Sequence, residues 1–99
     1  SMIAGGCVIS GSAVKKSLLF SNVRINSYSV IKESLILPDV NIGRHCRITK
    51  AIIEEGCQIP KGTIIGENRA DDEARFHVSP DGVVLVTPDM LGNKIRYVR

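Results

Sequence analysis

Few side chains in this sequence could do chemistry, and their spacing sets most chemistries aside. Cys7, Cys46 and Cys57 are odd in number and form no Cys-x-x-Cys pair. Neither a disulfide framework nor a zinc site is expected, and free thiols suit a reducing cytoplasm. His45 carries an imidazole, the usual general base near neutral pH. It stands in a column with Gly11, Tyr28 and Gly62, spaced seventeen residues apart, which marks it as the corner residue of a repeating coil. Lys15, Lys16, Lys32 and Lys50 gather at one phase of the same repeat, relieved by Glu33. They read as a solvated stripe that discourages edge pairing.

The positions around these residues follow a clock. Val, Leu, Ile or Met fills three columns of period seventeen: Met2, Leu19, Ile36 and Ile53; Val8, Ile25, Ile42 and Ile59; Val14, Ile31, Ile48 and Ile65. Four residues after the first column stand Gly6, Val23, Val40 and Cys57, and after the second Ser12, Ser29, Cys46 and Thr63, all small or slim. The third column is followed by the larger Leu18, Leu35 and Ile52. A coil that turns a corner every six residues brings i and i+4 inward. Cys46 and Cys57 are therefore expected inside, and Cys7, one place past Gly6, outside. Gly5, Asn22, Asp39 and Gly56 supply residues that tolerate a left-handed backbone, so a corner belongs there.

Such hexapeptide-like periodicity predicts an all-β fold, a triangular parallel β-helix of about four coils over residues 2–66. After Gly66 the clock stops. Residues 67–76 predict a short helix, 83–86 a strand, and Thr87-Pro88 the start of one helical turn that Gly92 ends. This tail, 67–99, is placed to cap the fourth coil. The 99 residues thus form one domain. They hold two Tyr, two Phe and no Trp, so the core must be aliphatic. The charge of +3 is mildly basic, but no long basic run or aromatic platform calls for nucleic acid. No apolar run reaches membrane-spanning length, and no signal pattern opens the chain. Met2-Ile3-Ala4-Gly5-Gly6 begins inside a coil, and the expectation is a fragment excised from a longer chain.

Several segments go beyond the fold. Ala4-Gly5-Gly6-Cys7-Val8-Ile9-Ser10-Gly11-Ser12, Leu37-Pro38-Asp39-Val40 with Ile42-Gly43-Arg44, and Ile59-Pro60-Lys61-Gly62-Thr63-Ile64-Ile65-Gly66-Glu67-Asn68 resemble the carboxy-terminal β-helix of bacterial ADP-glucose pyrophosphorylases (glucose-1-phosphate adenylyltransferases). So does Gly82-Val83-Val84-Leu85-Val86-Thr87 followed by Met90-Leu91. The resemblance implies a left-handed helix and a parent enzyme that makes ADP-glucose and pyrophosphate from ATP and glucose 1-phosphate for glycogen synthesis, using Mg²⁺. The glycine-rich G-x-G-x-R-L phosphate cradle of that enzyme is absent here, so no residue of this chain is expected to be catalytic or to hold a cofactor. By the same resemblance the domain packs on an amino-terminal catalytic domain, joins subunits into a homotetramer and helps bind phosphorylated effectors such as a sugar bisphosphate or AMP. Effector contacts are implied at Glu55, at Pro88, Asp89, Met90, Leu91 and Gly92, and in the terminal Lys94, Arg96 and Arg99. The sequence departs from the family where Pro88, Gly92 and Glu55 stand in place of arginines; Lys94, Arg96 and Arg99 can supply the lost charge. The alternative is a hexapeptide acyltransferase, with His45 as its base.

Overall fold

The computed structural model describes residues 2–92. Each coil is three short strands. The first carries β1 (Met2–Ile3), β2 (Val8–Ile9) and β3 (Ala13–Lys15); the second β4 (Leu18–Leu19), β5 (Arg24–Ile25) and β6 (Val30–Lys32). The third carries β7 (Leu35–Ile36), β8 (Asn41–Ile42) and β9 (Arg47–Thr49), and the fourth β10 (Ala51–Ile53), β11 (Gln58–Ile59) and β12 (Ile64–Ile65). Helix α1 (Arg69–Arg75), β13 (His77–Val78), β14 (Val84–Val86) and a 3-10 turn (Asp89–Leu91) follow. Strands stack in parallel into three walls: sheet A in the order β1-β4-β7-β10-β14-β13, sheet B as β2-β5-β8-β11, and sheet C as β3-β6-β9-β12. The predicted four-coil parallel solenoid is the observed fold.

Its core is the aliphatic columns. Ile25, Ile31, Ile36, Ile42, Ile48, Ile53 and Ile65 have no exposed surface. Each buried isoleucine side chain is worth roughly 1.5–3 kcal/mol of apolar transfer.

In the first coil the clock slips by one residue. Leu19 pairs with Ile36 and Ile36 with Ile53, seventeen apart, but Leu19 pairs with Ile3, sixteen away. Likewise Ile25 pairs with Ile9, not Val8, whereas Ile31 pairs with Val14 at the full seventeen. The missing residue lies between Ile9 and Gly11, where the second coil has Asn26 and Ser27 between Ile25 and Tyr28. Met2 and Val8 consequently stand outside the columns, 73% and 46% exposed. The corner residue is Gly6 (φ 80°), aligned with Asn22, Asp39 and Gly56 at φ 59°, 62° and 78°. Cys7 then falls into the slim column expected for Gly6. It is half-buried against the core, and its Sγ–H donates to the Phe20 carbonyl at 3.0 Å. Cys46 and Cys57 are buried as expected.

Leu18, Leu35 and Ile52 do not turn inward. The third side has five residues rather than six, so the inward place falls at i+3, where Ser17, Ser34 and Ala51 are buried. A slim residue there has a physical task. After this corner the backbone N–H is met by a hydroxyl of the preceding coil instead of by a carbonyl. Ser34 N–H donates to Ser17 Oγ and Ala51 N–H to Ser34 Oγ, while those hydroxyls donate to the Lys15 and Lys32 carbonyls. At the preceding corner Ser12 and Ser29 do the same, accepting the Ser29 and Cys46 N–H groups and donating to the Asn26 and Gly43 carbonyls.

The tail caps the fourth coil by extending it. β14 pairs in parallel with β10, Ile53 opposite Val86, and β13 pairs antiparallel with β14. Asn68 caps α1 by accepting the Asp71 N–H. Buried Asp72 accepts the Gly66 N–H at 3.0 Å, Arg75 donates to the Ile64 carbonyl at 2.7 Å, and Lys50 Nζ donates to the Asp81 carbonyl at 2.8 Å. Phe76, Val84 and Val86 close the core. Gly66 has φ 89°, and a Cβ there would lie 1.9 Å from the Thr49 carbonyl oxygen, so only glycine allows the exit from the coil.

Candidate functional site

Two distant stretches of the sequence meet at one corner. After β10, Glu54 and Glu55 lead into the left-handed Gly56, and the Glu54 N–H donates to the Val86 carbonyl at 2.9 Å. That bond ties the corner to β14. The chain leaves β14 through Thr87-Pro88, whose carbonyls accept the Met90 and Leu91 N–H groups at 3.1 Å each. The Thr87 hydroxyl contacts the Asp89 carboxylate. Gly92 then stops the turn at φ 74°, ψ 14°. Leu37, Glu54, Glu55, Pro88 and Asp89 line a surface pocket.

Of the residues implied by the resemblance, the structure thus brings Glu55, Pro88 and Asp89 together. Met90 lies next to them and is exposed; Leu91 turns back and packs against the core; Gly92 ends the turn. Lys94, Arg96 and Arg99 lie outside the described residues. Three carboxylates and no cation line the described wall. Such a wall repels phosphate at close range. It also acts inward on Cys57, whose Sγ lies 3.7 Å from the Val86 carbonyl. Burial first, and then the Glu54 and Asp89 charges, push this thiol up to about 12. Burial raises the Cys46 thiol as well.

A second pocket was not anticipated from the sequence. Gly62, Thr63, Ile64, Glu67, Asn68, Asp71 and Arg75 line a groove between the fourth coil and α1. Only the docking of α1 creates it, and the helix pattern in residues 67–76 was the sole signal. Near its rim Arg47 pairs with Glu67 at 2.8 Å, both partly exposed. His45 stacks on Tyr28, ring centroids 5.1 Å apart at 14°. Both are exposed corner residues with positive φ, so the imidazole is part of a corner ladder. Lys16, Glu33 and Lys50 hold the corresponding left-handed positions at the third corner, φ 49–53°. Their side chains are exposed, as a solvated stripe requires.

Over residues 1–86 the chain matches the GlmU-like, C-terminal hexapeptide family. The chain belongs to that family. It is also 63% identical over all 99 residues to a glucose-1-phosphate adenylyltransferase of Methylococcus capsulatus and 56% to one of Nitrosococcus oceani. A Pseudoalteromonas atlantica protein named glucose-1-phosphate adenylyltransferase 2 is 58% identical over 96 residues, 96% of the chain. These hexapeptide domains align with the carboxy-terminal regions of the relatives. The chain spans 23% of the length of each. Among the described residues no helix is long and apolar enough to cross a membrane.

Proposed function

We propose that this chain is the carboxy-terminal regulatory and oligomerisation domain of a cytoplasmic glucose-1-phosphate adenylyltransferase. In that enzyme ATP and glucose 1-phosphate give ADP-glucose and pyrophosphate for glycogen synthesis. The transfer and its Mg²⁺ belong to an amino-terminal catalytic domain. One observation carries the reading. Identity to the adenylyltransferases runs through all 99 residues, past residue 86 where the hexapeptide match ends. Coils alone are shared by many functions; the segment after residue 86 contributes Pro88 and Asp89 to the corner pocket.

The pocket is the regulatory site in this reading, and its acidic wall sets a condition on the ligand. A phosphorylated effector needs cations from outside the described wall, from Lys94, Arg96 and Arg99 or from the catalytic domain. Glu55 opposes a phosphate, so inhibition by a nucleotide monophosphate is weaker than in a variant with Glu55→Arg.

The test is a chimera in which this chain replaces the matching quarter of the Methylococcus capsulatus enzyme. It should form a tetramer, make ADP-glucose and respond to a sugar bisphosphate. The 99-residue chain alone should make none. A chimera that folds but neither assembles nor responds to any phosphorylated effector overturns the proposal.

A further inference from the structure

The corner between sheets B and C carries a ladder with one rung missing. Tyr28, His45 and Gly62 hold the same place in successive coils, each with positive φ. Hydrogen bonds fix the register: the His45 N–H donates to the Ser27 carbonyl at 3.1 Å, and the Gly62 N–H to the Arg44 carbonyl at 2.9 Å. Tyr28 and His45 fill their rungs with stacked, exposed rings. The fourth coil offers no ring, and a Cβ added to Gly62 would meet nothing within 4 Å. One face of the imidazole is thus covered by Tyr28, and the other looks toward the open rung. Gly62 also lines the groove beside α1, so the rung opens into a groove of about 610 Å³, a volume in the range of small-molecule sites.

Charge is sorted to either side of that rung. Toward sheet B stand Arg44 and Lys61, two residues past the paired Ile42 and Ile59 and one coil apart. Both are exposed, and neither is in an ion pair among the described residues. Like charges one above the other repel, so an anion held by both relieves the pair. Toward α1 the groove holds two carboxylates. Glu67 is taken by Arg47 at 2.8 Å, whereas Asp71 is in no ion pair among the described residues. An ionised carboxylate only accepts hydrogen bonds, so the group that meets Asp71 must donate.

We propose that the open rung is a nucleotide site. A planar base carrying an amino group stacks on His45 over Gly62, the amino group donates to Asp71, and the phosphates lie against Arg44 and Lys61. Every base has a π-face to lay on an aromatic ring; the donor at one end and the charge at the other set the orientation. The site lies at a different corner from the pocket of Glu55, Pro88 and Asp89, so it stands or falls independently of the reading above.

The chain has two histidines, His45 and His77, so proton NMR of the imidazoles is the readout. Titrating the 99-residue chain with adenosine diphosphate at constant pH should move the His45 ring resonances upfield to saturation, while those of His77 on β13 stay in place. Adenosine, ribose 5-phosphate and inosine diphosphate lack in turn the phosphates, the base and the amino group. Each should bind at least about tenfold more weakly. Gly62→Tyr writes the missing rung into the chain, in a column where Tyr28 already holds φ 65°, and should abolish the shift. Arg44→Ala with Lys61→Ala should weaken binding at least about tenfold, whereas Lys32→Ala should leave it unchanged. No shift at millimolar nucleotide, equal movement of both histidines, or an undiminished shift in Gly62→Tyr overturns the proposal. Ribose 5-phosphate binding as tightly as adenosine diphosphate overturns it too, since the base then contributes nothing. If Gly62→Tyr does not fold, the double variant decides, and undiminished binding there overturns the proposal.

Discussion

The coils and the cap are held together by different means. In the coils the same contact recurs: Ile25 on Ile42 on Ile59, Ile31 on Ile48 on Ile65, with serine hydroxyls accepting the backbone N–H behind two of the three corners. Stability is then spread over many near-identical neighbours, as in any stacked repeat. In the cap each contact occurs once. Asp72 takes the Gly66 N–H, Phe76 fills the end of the core, Arg75 reaches the Ile64 carbonyl, and Lys50 reaches across to Asp81. Periodicity writes the first kind of structure into a sequence, and single residues write the second.

The largest effect should come from the middle of the stack. Ile42→Asp places an unpaired charge between Ile25 and Ile59, with a loss above about 4 kcal/mol in urea unfolding. A loss below half of that would mean the columns do not share one core. Phe76→Ala should cost about 3 kcal/mol by opening the capped end. If proteolysis then frees residues 67–92 while the coils keep their circular dichroism, coil and cap are separable units; a single cooperative loss merges them.

Cys57 joins the two regions, and its thiol links them to pH. Its folded value is raised to about 12 from an ordinary 9.0, so the folded state keeps a proton that the unfolded chain releases first. The contribution is full below pH 9 and is lost as pH rises toward 12. Melting temperature should fall across that window, and Cys57→Ala should flatten the fall. Identical alkaline slopes for both proteins would remove Cys57 from the account.

The smallest effect belongs to the outer surface of the coils. Lys32→Asp should change stability by no more than about 0.5 kcal/mol, because Lys32 is exposed and already faces the like charge of Lys15 in register. A melting loss comparable to that of Ile42→Asp would contradict the three-column core.

The columns from Leu19 onward were legible because each inward place demands an aliphatic side chain and each coil repeats the demand. Met2 and Val8 misled because their neighbours Ile3 and Ile9 are equally apolar, so a missing residue before Gly11 leaves no gap in the pattern. Lys16, Glu33 and Lys50 were not legible as corners. Glycine, asparagine and aspartate announce a left-handed backbone, but the stacked geometry imposes it on any residue whose side chain can remain in solvent. The candidate site was legible only in part. Glu55 and the segment Pro88–Gly92 were picked out by resemblance, but their meeting depends on β14 adding to β10. Glu54 and Asp89 join Glu55 in one acidic wall only then. The groove beside α1 is likewise a product of docking, and no local pattern marks it.

The sixth strand of sheet A has one more consequence. Parallel coils are self-templating: a finished coil presents the next strand with a ready pattern of donors and acceptors, which is how fibrils add chain after chain. At β13 the direction reverses. A two-residue antiparallel strand, with α1 packed beside it, follows five parallel ones. An incoming strand that runs with the coils can pair with β13 only antiparallel, in a different hydrogen-bond pattern, so the stack of parallel strands does not continue past this end of the wall.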